Sequence, residues 1–240
     1  MIRAEGLCKN FGNVEAVIDA SFSADDGKVT ALLGPNGAGK STSLRMLSTV
    51  IKPSSGYASV DGHDVSSEPM AVCSCIGVLP HATGLYGRLS ARENIRYYGE
   101  LHGMSRDKLD ARIDSLIELL DMSEFSERRV EGFSQGQRIK VALARAIVHN
   151  PRNVLLDEPT NGLDVMATRA LREIILGFKA EGRCVLFSSH VMQEVANLCD
   201  DVIIIGQGRV QFQGTLDRLK TDTGQEDLEE AFIKVIEAEA

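Results

Sequence analysis

The hydrophobic pattern divides the chain into a strand-rich first part, a helical middle and a third part in which strands and helices alternate. Residues 1–33 read as strands, and VTALLG at their end has the unbroken apolar character of a buried strand. The run Ile76–Leu79 predicts another short strand. From residue 153 onward the alternating segments are NVLLD, 165–180, CVLFSS, 190–198 and a hairpin over 201–214. This order predicts a doubly wound α/β core.

The helical middle spans residues 84–149 and interrupts that core. Ser90 and Glu93 are spaced as a capping box, and Ser105 is a candidate cap for the next helix. That helix has one apolar face, made of Leu109, Ile113, Leu116, Ile117 and Leu120. The last segment, EDLEEAFIKVIEAEA, has apolar residues at helical spacing and predicts a helix docked on the surface.

Composition narrows the class of protein without identifying the chemistry. The chain has 240 residues, 43% hydrophobic and 25% charged, as ordinary globular proteins do. Its net charge of -8 argues against a protein that binds nucleic-acid backbones. The five cysteines are irregularly spaced and predict reduced thiols rather than a zinc site. No apolar run approaches the ~18 residues that a membrane span needs, so any service to a membrane requires a partner.

The segment GPNGAGKST matches the phosphate-binding pattern G-x-x-x-x-G-K-[ST]. Its residues are Gly34, Pro35, Asn36, Gly37, Ala38, Gly39, Lys40, Ser41 and Thr42. Glycines allow the backbone to approach phosphate oxygens, and the amides at the start of the following helix attract anions. Lys40 is expected to reach the β and γ phosphates, and Ser41 is expected to bind Mg²⁺. The alternative is a glycine-rich turn before a helix cap, but the predicted strand before the segment and the helix after it favour phosphate binding.

A second polar group follows the buried strands of the third part. Asp157 ends NVLLD and is expected to hold Mg²⁺ through water, and Glu158 is expected to act as general base. His190 follows CVLFSS at a predicted helix start, where it could contact the γ-phosphate or the attacking water. By themselves these residues are more simply interpreted as solvated strand-end acids and a capping histidine. The phosphate-binding pattern favours the catalytic interpretation.

The segment FSQGQ begins a helix in the middle part. Ser134 and Gln137 fit a capping box, which alone would be a purely structural feature. However, Gly136 within the first helical turn costs up to ~1 kcal/mol relative to alanine. A backbone that must approach another group closely would explain the glycine, and the helix start could grip a second phosphate face.

Together these motifs resemble the nucleotide-binding subunit of ATP-binding cassette (ABC) transporters, and the resemblance covers nearly the whole chain. It implies an ABC ATPase fold, which is a P-loop NTPase core with a mixed sheet, an N-terminal antiparallel β subdomain and an inserted α-helical subdomain. FSQGQ stands where the family has LSGGQ, with Phe133 for leucine and Gln135 for the first glycine. Ser134, Gly136 and Gln137 match the family pattern.

The resemblance also implies roles for single residues. Phe11 occupies the position of the aromatic residue that stacks on adenine, and Asp164 in NGLD occupies that of the aspartate at the dimer interface. Glu158 matches the catalytic glutamate and His190 the switch histidine. ATP and Mg²⁺ are the implied ligands, and two chains are expected to share two ATP sites, as a homodimer.

As domains, the resemblance implies a single ABC ATPase domain over 1–240. Residues 1–83 and 150–215 would form a RecA-like core with its β subdomain, 84–149 the helical insert, and 216–240 a helical tail. A membrane permease is expected to dock near residues 84–102, which implies a cytoplasmic subunit held at the inner face of the membrane. General similarity favours the bacterial exporter branch, with sodium or drugs as candidate cargo and no nucleic-acid partner.

Two alternatives stay open: a soluble ABC ATPase in nucleic-acid or translation work, and an ATP-gated clamp with little turnover. The clamp rests on His81, which stands where the family has a glutamine that meets Mg²⁺ and the attacking water. Because Mg²⁺ prefers oxygen ligands, a contact through water or no contact is expected for His81. Imidazole titrates near neutrality, so pH-sensitive coupling is a sharper hypothesis.

Overall fold

The computed structural model describes residues 1–238, and two sheets organise them. The smaller sheet is antiparallel and belongs to the first part of the chain. Its strand order is β2-β1-β4-β5. The bounds are β1 (Ile2–Phe11), β2 (Val14–Ala24), β4 (Ser55–Val60) and β5 (His63–Asp64).

The larger sheet has six strands in the order β10-β9-β3-β8-β7-β6. These are β3 (Val29–Leu33), β6 (Ile76–Leu79), β7 (Asn153–Asp157), β8 (Cys184–Ser189), β9 (Asp201–Gly206) and β10 (Arg209–Thr215). All neighbouring pairs are parallel except β10 with β9, which form the predicted hairpin. The sheet is therefore mixed, and the antiparallel β subdomain and helical subdomain complete the predicted ABC ATPase fold class, which is confirmed.

The helices lie between and beside the strands in chain order. They are α1 (Lys40–Leu47), α2 (Pro69–Cys75), α3 (Ala91–Leu101), α4 (Arg106–Leu119), α5 (Gln135–Ile147), α6 (Val165–Ala180), α7 (Met192–Leu198), α8 (Leu216–Thr223) and α9 (Leu228–Glu237). Three expectations need refinement. Ser105 precedes α4 but its side chain makes no cap hydrogen bond. The predicted 190–198 helix begins at Met192. The tail splits into α8 and α9, and its last two residues lie outside the described part of the chain.

Two apolar cores form on the opposite faces of the large sheet, because successive side chains of a strand point to opposite faces. In β3, Ala31 and Leu33 belong to the core beneath the helices, whereas Leu32 faces the core shared with the antiparallel sheet. In β7, Leu156 and Leu155 divide in the same way. These strands are buried on both faces, which explains their continuous apolar sequences.

The apolar faces of the helical middle pack into the core beneath the helices, to which Ala31 and Leu33 of β3 also belong. The five residues predicted to share one face of α4 are all buried in that core. The capping box at the start of α3 is confirmed, with Ser90 Oγ accepting from the Glu93 amide and the Glu93 side chain accepting from the Ser90 amide. Within residues 1–238, none of the helices has the length and apolar character required to cross a bilayer.

Candidate active site

The carboxyl ends of four parallel strands bring the predicted residues to one edge of the large sheet, where open α/β sheets bind ligands. β3 leads into the phosphate loop, β7 ends at Asp157, β8 leads to His190 and β6 leads to His81. Between them lies a cavity of about 490 Å³. The predicted residues that line it are Asn36, Gly37, Ala38, Gly39, Lys40, Ser41, Thr42, His81, Asp157, Glu158 and His190.

The phosphate loop depends on glycine for its shape. Gly37 has a φ of 82° and Gly39 a φ of 105°, both in the region that favours glycine. A Cβ added at Gly39 would lie 2.6 Å from the carbonyl oxygen of Ala16, so the loop could not keep its place with a larger residue. The loop leads directly into α1 at Lys40, and the amides there form an anion-binding surface.

Lys40 supplies a positive charge that is almost completely buried, with its side chain 6% exposed. Its ammonium group donates to the carbonyl oxygens of Gly34 at 2.7 Å and Pro35 at 3.2 Å. Oε1 of Glu158 lies 3.7 Å away. A buried ammonium group beside the open cavity can bind an anion that enters it.

Oxygen atoms that could bind a metal ion lie close together at another wall of the cavity. The Ser41 hydroxyl donates to Oδ1 of Asp157 at 3.0 Å, and the Ser188 hydroxyl donates to the same oxygen at 2.7 Å. A hydroxyl and a carboxylate of this kind suit a magnesium ion, which prefers oxygen ligands. Helix α1 therefore brings a candidate metal ligand to the strand end that carries the second.

Glu158 lies between Asp157 and His190, and its backbone conformation is strained. Its φ is +52°, a conformation that non-glycine residues adopt rarely and that is concentrated at functional sites. The Glu158 amide donates to Ser188 Oγ at 2.9 Å, which holds the turn. The Glu158 Oε2 atom lies 2.6 Å from Nδ1 of His190, whose side chain is 53% exposed. His190 is thus placed to orient the carboxylate, not to cap α7.

His81 lines the same cavity from the β6 side. The residue is exposed. Within residues 1–238 its ring makes no hydrogen bond that would hold it in one orientation. The loop therefore places the His81 imidazole at the phosphate cavity.

The remaining predicted residues do not line this cavity, although Gly34 and Pro35 contact Lys40 through their carbonyl groups. Phe11 is 49% exposed at the end of β1, with the Lys9 ammonium 5.2 Å from its ring centroid. Ser134, Gly136, Gln137 and Asp164 stand at the starts of α5 and α6.

The start of α5 has the predicted capping geometry. The Ser134 hydroxyl accepts from the Gln137 amide at 3.3 Å, and the Gln137 side chain accepts from the Ser134 amide at 3.1 Å. A Cβ added at Gly136 would lie 3.6 Å from the nearest atom, Cβ of Ala167, which is an ordinary contact. Packing inside this chain therefore does not explain the glycine. Asp164 caps α6 by accepting from the Ala167 amide at 2.8 Å.

Several residues at the cavity were not predicted as site residues. Ser188 contacts both Asp157 and the Glu158 amide, and Ala16, Arg45 and Asn161 complete the lining. The SSH sequence that ends β8 contains Ser188, and the register of the parallel strands β7 and β8 places Ser188 directly beside Asp157. No local sequence pattern distinguishes Ala16 or Arg45.

Comparison with known proteins identifies the family. The model of the ABC transporter family matches residues 17–161. ABC transporter ATP-binding protein NatA from Bacillus subtilis (strain 168) is 46% identical over 92% of this chain and 90% of its own length. Daunorubicin resistance ATP-binding protein DrrA3 from Streptomyces coeruleorubidus is 34% identical over 93% of this chain and 71% of its own length.

Solved structures agree with the sequence relatives. The structure of an ATP-binding subunit of an ABC transporter superposes with a TM-score of 0.90 at 28% identity, covering 98% of this chain and 99% of that one. The structure of cbiO1 from Clostridium perfringens, which is described as part of the ABC transporter complex cbiONQ, superposes with a TM-score of 0.82 at 26% identity over 92% of this chain and 90% of that one. The chain belongs to the ABC transporter family, as an ATP-binding subunit that hydrolyses ATP to power transport.

Proposed function

We propose that ATP binds with its phosphates in the 490 Å³ cavity and is hydrolysed there by Glu158, His190 and Lys40. The observation that carries this proposal is the unbroken contact series from Lys40 to Glu158 at 3.7 Å and from Glu158 to His190 at 2.6 Å. Each member stands at the wall of one cavity, although the residues are far apart in sequence.

Each of the three side chains has a task that its contacts support. Glu158 accepts a proton from the attacking water, a role worth ~10²–10⁴-fold in rate for a positioned base. His190 holds the Glu158 carboxylate and remains accessible to the γ-phosphate, since its side chain is 53% exposed. Lys40 exchanges the Gly34 and Pro35 carbonyl groups for phosphate oxygens, where its charge stabilises the transferring group.

Ser41 and Asp157 are the proposed holders of Mg²⁺, since their oxygen atoms meet at 3.0 Å and Ser188 orients the carboxylate. When bound, Mg²⁺ would neutralise charge on the β and γ phosphates. Phe11 is the proposed adenine platform because its ring is half exposed at the end of β1 in the antiparallel sheet.

A second copy of the chain is proposed to complete each site. Ser134, Gly136 and Gln137 do not line the phosphate cavity of their own chain, and Ser134 is exposed to solvent. An unexplained glycine in a helix start with free amides suits a phosphate that arrives from outside the chain. Asp164 would lie at the same interface. The proposed assembly is a homodimer with two shared ATP sites.

This arrangement makes the interface depend on the γ-phosphate. ATP joins two copies because each supplies part of the phosphate contacts, and hydrolysis followed by phosphate loss removes the bridging charge. The motion of the dimer as it closes and opens would be transmitted to the permease. His81 is proposed to act in the connecting loop, through a water molecule or without contacting the nucleotide.

The permease is proposed to dock near residues 84–102, on the outer surface of the helical middle. Three large side chains are exposed there without a cover: Tyr86 at 47%, Tyr97 at 41% and Leu101 at 66%. The rings of Tyr86 and Tyr97 meet edge to face at 5.4 Å, which gives the surface a defined shape. Docking would hold the chain at the cytoplasmic face of the membrane.

Export is the proposed direction of transport, because relatives of this chain include a protein named for daunorubicin resistance. Sodium and drugs are the two candidate cargoes. Vesicles that contain both subunits would separate them, because ATP should drive either sodium flux or the uptake of a fluorescent anthracycline. Movement of neither would contradict both cargo assignments.

Steady-state ATPase activity of the purified chain tests the proposed chemistry. Glu158→Gln should lower kcat by ~10²-fold or more, since glutamine keeps the shape but cannot accept the proton. Glu194→Gln is the matched control, because Glu194 is also a buried carboxylate and accepts from Ser189 at 3.1 Å, away from the cavity. Equal activity of Glu158→Gln and parent would remove Glu158 from the mechanism, and a parent with no turnover would favour the clamp.

Membrane fractionation tests the proposed permease. The chain should sediment with membranes only when its permease partner is co-expressed, and Leu101→Ser should reduce that recovery. Leu119→Ser is a suitable control, because Leu119 is 53% exposed on α4 outside the proposed docking range. Purely soluble behaviour beside the co-expressed partner would contradict the transporter assembly.

A further inference from the structure

Arg145 on α5 is a buried cation without a carboxylate partner. The residue is 6% exposed, and no acidic oxygen of residues 1–238 lies within salt-bridge distance of its guanidinium group. Burial lowers the pKa of Arg145 from its usual value. Because an uncompensated buried charge is costly, a residue that only filled space here would be expected to be apolar.

Two contacts occupy the guanidinium group instead. One nitrogen of Arg145 donates to the carbonyl oxygen of Gly84 at 3.1 Å. The central carbon of the guanidinium group lies over the Tyr98 ring on α3, 4.6 Å from the ring centroid. The hydrogen bond is charge-assisted, and a planar guanidinium group can donate it while lying over the ring, a combined geometry that lysine does not reproduce.

Gly84 belongs to the loop that begins at His81. It lies three residues after His81, which lines the phosphate cavity. The far side of this loop is fixed by Asn94, which is fully buried and both donates to the Tyr86 carbonyl and accepts from the Tyr86 amide. Gly84 itself is exposed and has a φ of +56°, with no atom closer than 3.8 Å to an added Cβ. Arg145 therefore contacts the loop at an exposed residue that has open space around it.

The other end of α5 carries Ser134 and Gly136. Arg145 lies eleven residues after Ser134, about 16 Å along a continuous helix. A rigid helix thus connects the Gly84 carbonyl with the helix start that is proposed to meet the nucleotide of the second copy.

We propose that Arg145 is a positioning residue that ties the His81 loop to α5. A shift of the loop when ATP enters the cavity then moves the helix start that grips the ATP of the second copy. Tyr98 guides the guanidinium group in that motion and lies beside the surface proposed for the permease. This inference rests on the proposed function, in particular on the shared ATP sites.

Arg112 offers a matched comparison within the same helical middle. It is also partly buried, its pKa is also lowered by burial, and it donates to main-chain oxygens of Ile147 at 3.1 Å and Val148 at 3.4 Å. Those oxygens belong to the end of α5, so Arg112 stabilises the helix without touching the His81 loop. A purely structural role for Arg145 predicts that the two arginines respond alike to substitution.

The test uses the full chain with Glu158→Gln as background, so that ATP is bound but not consumed. Arg145→Lys and Arg112→Lys are added separately, and three quantities are measured: ATP affinity at low protein concentration, ATP-driven dimerisation by light scattering, and deuterium uptake over residues 82–87. For Arg145→Lys we expect ATP affinity within about twofold and dimerisation that needs about tenfold more ATP, as for one lost charge-assisted hydrogen bond. Deuterium uptake should be faster.

Arg112→Lys should leave dimerisation at the background level. Dimerisation of Arg145→Lys equal to the background, or reduced as much by Arg112→Lys, would overturn the inference. A background protein that binds ATP but stays monomeric would instead overturn the shared-site proposal. If Arg145→Lys does not fold, Tyr98→Leu removes the stacking from the other side, and dimerisation equal to the background would then overturn the inference.

Discussion

Lowering the pH from about 7.5 to about 5 should weaken the fold through His149, which lies just after α5. Burial, and next to it the positive charge of His102, lowers the pKa of His149 from 6.5 to about 4. The two imidazole rings stack with centroids 3.7 Å apart. Nε2 of His149 lies 3.1 Å from the Ile76 carbonyl oxygen, and Nδ1 is buried without a hydrogen-bond partner in residues 1–238.

The direction of the stability change depends on whether the folded or the unfolded chain binds more protons. His149 stays neutral in the folded chain down to about pH 4, whereas the unfolded chain binds a proton below 6.5. The unfolded state therefore holds more protons between these values, and stability falls as the pH decreases through that window. Arg112 and Arg183 add to the effect, because their positive charges also oppose protonation of the ring.

The size of the effect follows from the same two pKa values. The full shift corresponds to about 2 kcal/mol of lost stability at about pH 5, and the partial exposure of the ring reduces this to between about 1 and 2 kcal/mol. Other groups titrate in this range as well, so the relevant quantity is the difference between the parent and His149→Gln. Glutamine keeps a polar side chain at this position but cannot take up the proton.

Urea unfolding followed by far-UV circular dichroism is the suitable assay, since the chain has no tryptophan. The free energy of unfolding of the parent should fall by about 1–2 kcal/mol more than that of His149→Gln between the two pH values. His63→Gln is the control, because the His63 side chain is 44% exposed and its ring contacts Glu68 at the surface. Parallel losses in the parent and His149→Gln would refute the reasoning.

Three further predictions follow from single positions. Gly56→Ala should destabilise the chain by about 3 kcal/mol or more in urea, because the added Cβ would lie 2.1 Å from the Gly6 carbonyl oxygen. Gly62→Ala, at the same φ of +84° but with open space, should cost only about 1–2 kcal/mol. Phe11→Ala should raise the KM for ATP by about tenfold and leave kcat nearly unchanged, with Phe11→Tyr as control. His81→Gln should give a pH profile of ATPase activity that superimposes on the parent between about pH 6 and 8, whereas a displaced profile would indicate pH-sensitive coupling.

The sequence was sufficient for the elements whose burial is simple. β3, β7 and β8 are covered on both faces, so their apolar runs stand out from the alternation of half-exposed strands. α6 was predicted with its observed bounds, because Asp164 caps its start and its apolar residues repeat at helical spacing.

Two short helices, α2 and α8, were not predicted as separate elements. α2 has seven residues and buries only Val72, and α8 has eight and buries Leu219 and Thr223. Helices of this length are held by tertiary packing and not by their own pattern. Ser105 is the opposite case, in which a sequence signal is present but the expected contact is not. Serine is a favourable cap residue, yet Ser105 before α4 makes no cap hydrogen bond.

Sequence reasoning proposed the members of the candidate site but not their contacts. The phosphate loop is contiguous, and its fit to a known pattern is a local property. The contact between Glu158 and His190, the positive φ of Glu158 and the bonds of Ser188 join separate strands, so they depend on the order of strands in the sheet. The tie between Arg145 and Gly84 depends in the same way on how α5 packs against the loop.

Two copies of the chain are proposed to share each ATP site, and a mixing experiment distinguishes this arrangement from one in which each copy carries a complete site. Lys40→Met should inactivate the phosphate loop, and Gly136→Asp should fit the first turn of α5 while repelling the phosphate of the second copy. Each variant alone should be inactive. A mixed dimer has one site that carries both defects and one site that carries neither. About half of the dimers in an equal mixture are mixed, so the mixture should regain up to about a quarter of the parent ATPase activity. A mixture as inactive as its two components, although mixed dimers form, would contradict the shared site.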